Sequence, residues 1–339
     1  MWKLCVVFVF VICSSVSLTL SQDFGYGGKH GPEHWSEDFK RCNGKHQSPI
    51  NIDLVNVVEK EFSPLEFTNF DAKPTGIQVS NNGHTVLVRM TFAEGDEPRV
   101  FGGPLADRSP RAGYQFEQFH FHWGENDTIG SEDRINNHAY PAELHVVLRN
   151  LEYKDFASAL GQDHGIAVLA FFFQIQGADN PNYNEFVQLL STIERKDMTA
   201  NYTRPVGLQD FLSYDLINYY SYIGSLTTPP CSEEVTWIDF ETPIDISEYQ
   251  LNGFRQLTAH DEHLKNNFRP IQPLNDRTIY KHKLSAPPTD QMGSIPFVNV
   301  DNFAGRISAR SAYLYLLLTC LCLCLRLGLA SAGFSIYFF

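Results

Sequence analysis

Hydrophobic and polar positions alternate along several short segments of this chain, with the period of two that a half-buried β-strand shows. The segments that predict strands, because they are rich in β-branched and aromatic residues, are Thr85–Arg89, Glu117–His122, Glu143–Leu148, Ile166–Gln174 and Val235–Phe240. Apolar residues recur with helical spacing at Asn182–Thr192 and Ile246–Leu257. The pattern predicts a mainly β domain of the α+β class, a large and mostly antiparallel sheet with short surface helices.

The first 21 residues follow a different pattern, in which Lys3 precedes an apolar run and small residues follow. This order is typical of a secretory signal peptide, with cleavage after Ser17 or Ser21. The alternative is a signal anchor, for which the apolar run is short. We therefore expect residues 1–21 to be removed and a single domain, residues 22–285, to mature in the secretory pathway.

The other end of the chain carries a second apolar segment, residues 311–339, in which Arg326 is the one charged residue. It follows a loose linker, residues 286–310, that contains small residues such as Asn302 and Ser308. A small attachment site, a spacer and an apolar tail are typical of a GPI-anchor signal. A retained transmembrane helix is the alternative. Either arrangement places the domain on the extracellular face of the cell membrane.

Composition and net charge mainly exclude certain classes of protein. Apolar residues make up 43% of the 339 residues and charged residues 19%, which excludes a disordered chain. The net charge of −13 argues against a nucleic-acid partner, whose phosphates require a basic surface.

Cysteine usage agrees with an extracellular domain. Five of the seven cysteines lie in the terminal segments, at Cys5, Cys13, Cys320, Cys322 and Cys324. Cys42 and Cys231 remain in the domain, and two cysteines in an oxidising compartment predict one disulfide. The Asn-x-Thr sequences at Asn126 and Asn201 predict N-glycosylation.

Three histidines form the most informative constellation. His120 and His122 alternate with aromatic residues, so that on a strand both imidazoles project from one face, about 7 Å apart. His145 lies on a second predicted strand, two residues after the acidic Glu143. A His-x-His pair alone is more often an ordinary surface or core feature. Three histidines with one open position favour a catalytic zinc site over a structural one.

From about Tyr26 to Lys283 the chain resembles the α-class carbonic anhydrases of the extracellular, membrane-anchored kind. The motifs that carry the resemblance are GPEHW (31–35), QSPINI (47–52), NNGH (81–84), QFHFHWG (118–124), GSE (130–132), AELH (142–145), SLTTPPC (225–231), VTW (235–237) and NFRPIQPLN (267–275). The resemblance implies a central twisted ten-stranded sheet and a Zn²⁺ cofactor. It also implies reversible hydration of CO2 to bicarbonate and a proton by a zinc-bound hydroxide, with incidental esterase activity. Sulfonamides and small anions would inhibit, and the ectodomain would be monomeric.

The resemblance also assigns roles to single residues. His120, His122 and His145 match the zinc ligands, and the groups that would accept their second ring N–H are Gln118, Glu143 and the backbone carbonyl of Asn267. Thr227 would accept from the hydroxide and donate its single proton to Glu132, while Thr228 would contact bicarbonate. The residues that match the apolar CO2 pocket are Val147, Val168, Leu226 and Trp237.

Proton export is assigned to His84, whose side chain titrates near neutral pH, with Tyr26 and Asn82 matching residues that order the relay water. Leu87 and Phe24 depart from the family pattern. Both would perturb the relay water or the resting position of His84. The segment between His84 and Gln118 is longer than in compact members of the family, and its part Ala106–Tyr114 would alter the rim of the cavity.

Two other functions are alternatives to CO2 hydration. A catalytically silent binding or adhesion domain on the same fold would lack one or more zinc histidines, and all three are present. A zinc hydrolase for esters or peptides is disfavoured because the chain has no His-Glu-x-x-His motif.

Overall fold

The computed structural model describes residues 24–106, 113–259 and 262–283. Backbone contacts divide the chain into Met1–Ser285 and Ala286–Phe339, and every described residue belongs to the first unit. The predicted signal peptide, linker and apolar C-terminal segment, and residues 107–112 of the predicted rim segment, lie outside the described residues. Within the described ranges, no helix is both long enough and apolar enough to cross a membrane.

Short strands dominate the described residues. The strands are β1 (Asn51–Ile52), β2 (Val58–Lys60), β3 (Leu65–Thr68), β4 (Gly76–Asn81), β5 (Val86–Thr91), β6 (Arg99–Gly102), β7 (Tyr114–Trp123), β8 (Arg134–Ile135), β9 (Ala142–Asn150), β10 (Ile166–Gln176), β11 (Thr199–Asn201), β12 (Tyr219–Ser225), β13 (Glu233–Ser247), β14 (Thr258–Ala259), β15 (Glu262–His263) and β16 (Tyr280–His282). The α-helices are α1 (Trp35–Asp38), α2 (Phe156–Ala159), α3 (Asn184–Leu190) and α4 (Glu248–Arg255). Single 3₁₀ turns occur at Gly28–His30, Lys40–Asn43, Gly103–Leu105, Ser191–Ile193 and Leu208–Phe211.

Ten strands form one path across the main sheet, in the order β11-β4-β5-β7-β9-β10-β13-β12-β16-β2. Neighbours on this path are antiparallel except at β10–β13 and β16–β2, which confirms the prediction of a mostly antiparallel sheet. The sheet has twelve strands rather than ten, because β6 branches from β7 and pairs with β3.

The five strands and two helices that the sequence predicts are present, with shifted ends. The largest shift is at β13, which runs through Ser247 and so includes Ile246 in a strand rather than in the following helix. Ser247 ends the strand and caps α4, because its side chain accepts a hydrogen bond from the Gln250 N–H.

The two faces of the sheet pack against two different hydrophobic clusters. Phe119 and Phe121 of β7 belong to the larger core, which also contains Phe186 of α3 and Phe254 of α4. The opposite face carries a smaller apolar cluster centred on Trp237 of β13. Catalytic candidates lie on this second face.

A β-bulge in β7 decides which residues face which side. The register with β9 shifts between Phe116 and Gln118, leaving Glu117 as the extra residue. Before the bulge the even-numbered Phe116 points to the larger core, whereas after it the odd-numbered Phe119 does. His120 therefore projects to the opposite face.

Cys42 and Cys231 form a disulfide, as the sequence predicts. The pair packs with Trp35, and the partly buried side chains of Phe24 and Tyr26 cover this cluster. The disulfide thus joins the N-terminal segment to the loop that carries Thr227 and Thr228.

Candidate active site

Strand pairing brings the three histidines together. His120 on β7 lies directly opposite His145 on β9, and His122 lies opposite Glu143 in the same register. Directly opposed residues project from the same face of a sheet. One ring nitrogen from each histidine lies within 4.8 Å of the other two, and the ring centroids are 4.6–5.3 Å apart.

The other nitrogen of each imidazole is held by an oxygen acceptor. The contacts are Nδ1 of His120 with Oε1 of Gln118 (2.9 Å), Nδ1 of His122 with the Asn267 carbonyl (2.7 Å), and Nε2 of His145 with Oε1 of Glu143 (2.7 Å). Because these oxygens accept, the histidine nitrogen donates in each contact. The remaining nitrogens are two Nε2 atoms and one Nδ1 atom, each left with its lone pair toward the centre.

Burial keeps these rings neutral. It lowers the pKa of His122 to about 4, while the Asn267 carbonyl opposes the shift. It also lowers the pKa of His120 and His145 well below the usual value, with neighbouring imidazoles adding to the effect. Nε2 of His122 is buried and has no hydrogen-bond partner within the described residues. Three neutral imidazole lone pairs, one of them orphaned, fit the ligand set of a Zn²⁺ ion.

Glu132 is buried beside the histidines. Its Oε1 accepts the backbone N–H of Arg269 at 2.8 Å, and its Oε2 lies 3.3 Å from Nε2 of His122 and 3.8 Å from Nδ1 of His145. Burial raises the pKa of Glu132 to about 8, and the Thr227 side chain opposes this through a hydrogen bond. The predicted pair of Thr227 and Glu132 is therefore in contact.

A tight loop brings the backbone of Glu132 and Asp133 to Glu143, the residue that holds His145. Gly130 has a φ of +153°, and a Cβ there would collide with the Pro141 carbonyl, so the close approach needs glycine. The backbone N–H groups of Glu132 and Asp133 then both donate to Oε2 of Glu143, at 2.8 and 3.0 Å.

Apolar side chains form one wall of the site. Val147, Val168 and Trp237 are opposed across β9, β10 and β13, so they stand in one row on the histidine face. All three are buried, and the partly exposed Leu226 packs against their cluster. The Trp237 ring lies 4.9 Å from the His145 ring. The four predicted pocket residues thus belong to one cluster.

His84 lies on the turn before β5, and its ring stacks on Phe24 with centroids 4.0 Å apart and planes 9° apart. Oδ1 of Asn82 accepts the backbone N–H groups of His84 and Thr85, which fixes this turn. Leu87 lies opposite His120 and places an apolar side chain beside the three histidines.

Tyr26 and Thr228 lie on the two segments that the disulfide joins. Burial and the charge of Glu132 raise the pKa of Tyr26 well above its usual value, so its hydroxyl stays protonated. The Thr228 carbonyl accepts the backbone N–H of Cys231 at 2.9 Å, which closes the turn after Thr227.

Both predicted glycan-bearing asparagines are exposed. Asn201 ends the edge strand β11, and Asn126 lies in the loop after β7, where its Oδ1 accepts from the Thr128 N–H and hydroxyl.

Sequence reasoning missed two groups near the site. Arg269 is buried, and its guanidinium donates to Gln47 and to the carbonyls of Ser48 and Cys42. The second group is a set of buried acids that includes Asp239, an acidic residue inside the apolar run of β13. That isolated charge among apolar neighbours is the signal that could have found it.

Comparison with known proteins agrees with this geometry. The family model described as eukaryotic-type carbonic anhydrase matches residues 30–283. Carbonic anhydrase 7 of Homo sapiens is 37% identical over 271 residues, which cover 77% of this chain and 98% of that protein. Carbonic anhydrase 15 of Mus musculus is 35% identical over 262 residues, which cover 74% and 79%. The chain therefore belongs to the eukaryotic-type carbonic anhydrase family and is a carbonate dehydratase.

Proposed function

We propose that this chain hydrates CO2 reversibly to bicarbonate and a proton, with Zn²⁺ held by Nε2 of His120, Nε2 of His122 and Nδ1 of His145. The convergence of three neutral imidazole nitrogens, each fixed by a hydrogen bond at the other nitrogen, carries the proposal. Bound Zn²⁺ supplies a Lewis acid that lets water ionise near neutral pH, as is established for carbonic anhydrases. Neutral ligands suit this task, because they leave the cation its full charge.

Thr227 orients the nucleophile in this proposal. A hydroxyl has one proton, and donating it to the Glu132 carboxylate leaves the Thr227 oxygen able only to accept. The water-derived nucleophile must then direct its own proton toward Thr227 and its lone pair toward CO2. Hydrogen bonds from Thr227 and from the Arg269 N–H, together with the charge of Arg269, oppose the burial that raises the pKa of Glu132 and so favour the carboxylate form that this orientation needs.

Substrate and product contact different parts of the site. CO2 is apolar, so the row of Val147, Val168 and Trp237, completed by Leu226, is its binding wall and excludes water from one side. Bicarbonate is polar and takes a hydrogen bond from Thr228 at the edge of this wall.

His84 carries the proton away. Histidine is the side chain best suited to exchange protons near neutral pH, so this imidazole can accept a proton through water and release it to buffer. Stacking on Phe24 fixes one resting place for the ring. Tyr26 and Asn82 order the intervening water, whereas the apolar Leu87 narrows the path that this water can follow.

Stopped-flow CO2 hydration by the purified full chain tests the proposal. We expect rapid hydration that a zinc chelator or a sulfonamide abolishes and that His145→Ala loses. His263→Ala, at an exposed histidine of β15, should retain it. A folded, zinc-loaded chain that fails to hydrate CO2 would overturn the proposal and leave the silent binding domain as the function.

We further propose that the enzyme acts at the outer cell surface on a GPI anchor, as a monomeric, N-glycosylated ectodomain. The support is the order of sequence signals, which are a signal-peptide pattern at residues 1–21, small residues at Asn302 and Ser308, and an apolar segment at residues 311–339. Phosphatidylinositol-specific phospholipase C should release activity from intact cells. Activity that stays with the membrane after this treatment would instead indicate a transmembrane helix.

A further inference from the structure

Three carboxyl groups lie together beside the proposed zinc site. Asp133, Glu143 and Asp239 are buried, and one oxygen from each lies within 4.8 Å of the other two. Asp239 on β13 is opposed by Ala170 on β10, which is opposed in turn by His145. The small side chain of Ala170 separates the acid from the histidine in this row.

Two of the three acids are well supplied with hydrogen-bond donors. Glu143 accepts from His145 and from two backbone N–H groups. Asp133 accepts the Ile50 N–H at 2.6 Å and the Tyr222 hydroxyl at 3.2 Å. Both groups are therefore suited to the carboxylate form.

Asp239 differs from both. Within the described residues, no donor reaches either of its oxygens, although the side chain is 0% exposed. Its carboxyl group is in hydrogen-bond contact with that of Asp133, and two carboxylates cannot bond unless one of them carries a proton. Burial and the charge of Asp133 both raise the pKa of Asp239, and burial raises that of Asp133 as well.

Within the described residues, no lysine or arginine forms an ion pair with any of the three acids. Glu132 adds a further acid. The hydroxyls of Tyr222 and of Tyr220, which lies opposite Asp239 on β12, are neutral because burial raises their pKa. Arg277 is the cation that acts on Asp133, but its guanidinium donates to backbone carbonyls and makes no ion pair within the described ranges.

A divalent metal ion is a poor alternative at this cluster. Ca²⁺ and Mg²⁺ take about six or more oxygen ligands. Most lone pairs of Glu143 and Asp133 already accept N–H or O–H donors, whereas a proton needs one lone pair on Asp133 alone.

We propose that Asp239 is a neutral carboxylic acid in the folded protein and donates its proton in a hydrogen bond to the Asp133 carboxylate. The folded chain then retains a proton that the unfolded chain releases above the ordinary aspartate pKa of 3.8. Because the folded pKa is raised, the unfolded state is favoured progressively as the pH increases. The stabilisation by this proton is therefore complete below the unfolded pKa of 3.8 and is lost progressively as the pH rises from there toward the folded pKa.

The test is the difference in unfolding between Asp239→Asn and the parent, measured on the full chain with its metal by denaturant titration from pH 5 to pH 9. The asparagine amide donates to Asp133 without any proton to lose. We expect the ratio of parent to variant unfolding constants to rise by up to about tenfold per pH unit. Asp96→Asn makes the same chemical substitution at an exposed site and should give a ratio that does not change with pH.

Infrared spectroscopy of the parent labelled with ¹³C-aspartate gives a second readout that needs no variant to fold. A protonated carboxyl band at pH 7 that disappears in Asp239→Asn but persists in Asp96→Asn is expected. The proposal is overturned if the parent shows no such band at pH 7, or if the two variants share one pH dependence. Stabilisation of the parent by added Ca²⁺ or Mg²⁺ that Asp239→Asn abolishes would likewise replace the proton with a metal ion.

Discussion

Single residues acquire their roles here through the atoms that hold them. A histidine has two similar nitrogens, and the acceptors at Gln118, Asn267 and Glu143 leave a defined one free on each ring. The same holds for Thr227, whose one proton is committed by its neighbour. What each of these residues can bind therefore depends on which of its lone pairs has no hydrogen-bond donor.

The residue-scale prediction concerns Gln118, the most accessible of these acceptors. Gln118→Ala frees Nδ1 of His120, so the ring can rotate or change tautomer, and we expect zinc affinity to fall about 10- to 100-fold. Competition with a chromophoric chelator measures this change. Gln115→Ala on the same strand is the matched control, and an equal loss in both variants would contradict the assigned role of Gln118.

At the scale of elements, the sequence predicted the strands of His120 and His145 because β-branched or aromatic residues are frequent in both. On the first strand apolar and polar residues also alternate, from Gln118 to His122. The sequence did not predict the start of β7 at Tyr114, since the bulge interrupts that alternation. Contacts between distant segments, such as the Asn267 carbonyl on His122, are invisible to local pattern and were expected solely from the family resemblance. The family resemblance did not indicate the acid pair, and the isolated charge of Asp239 within an apolar strand is the local signal that could have done so.

The element-scale prediction concerns the disulfide, which anchors the loop of Thr227 and Thr228 to the N-terminal segment. Replacing both cysteines by alanine should lower the free energy of unfolding by about 2–5 kcal/mol. It should also reduce kcat, because Thr227 loses its fixed position. Denaturation and stopped-flow assays measure the two effects, and full kcat in a destabilised variant would show that the loop holds its shape unaided.

Across the whole molecule, the sheet separates the larger hydrophobic core from the proposed catalytic residues. The larger core lies on one face with α3 and α4, and the catalytic candidates share the other face with a smaller apolar cluster. Phe186 is fully buried on the first side, whereas Val147 is buried on the second, within the apolar row that we propose as the CO2 wall. Substitutions on the two faces should therefore have different consequences.

The whole-molecule prediction compares those two residues. Phe186→Ala should lower the free energy of unfolding by about 3–5 kcal/mol and leave kcat/KM of the folded fraction unchanged. Val147→Phe should fill the CO2 wall and reduce kcat/KM at least tenfold, with a smaller stability cost of about 1–3 kcal/mol. If Phe186→Ala lowered kcat/KM as strongly as Val147→Phe, the two faces would not be independent.

The bulge at Glu117 lets β7 change its core-facing residues from even to odd numbers while it stays paired with β9. Deleting Glu117 would join Phe116 directly to Gln118, and regular alternation would still turn Phe119 to the larger core and His120 to the opposite face. Inserting one residue between Gln118 and Phe119, with the bulge kept, would instead turn the imidazoles of His120 and His122 into the larger core. Beside the proposed zinc ligands, β7 can therefore lose a residue without exchanging its faces, but it cannot gain one.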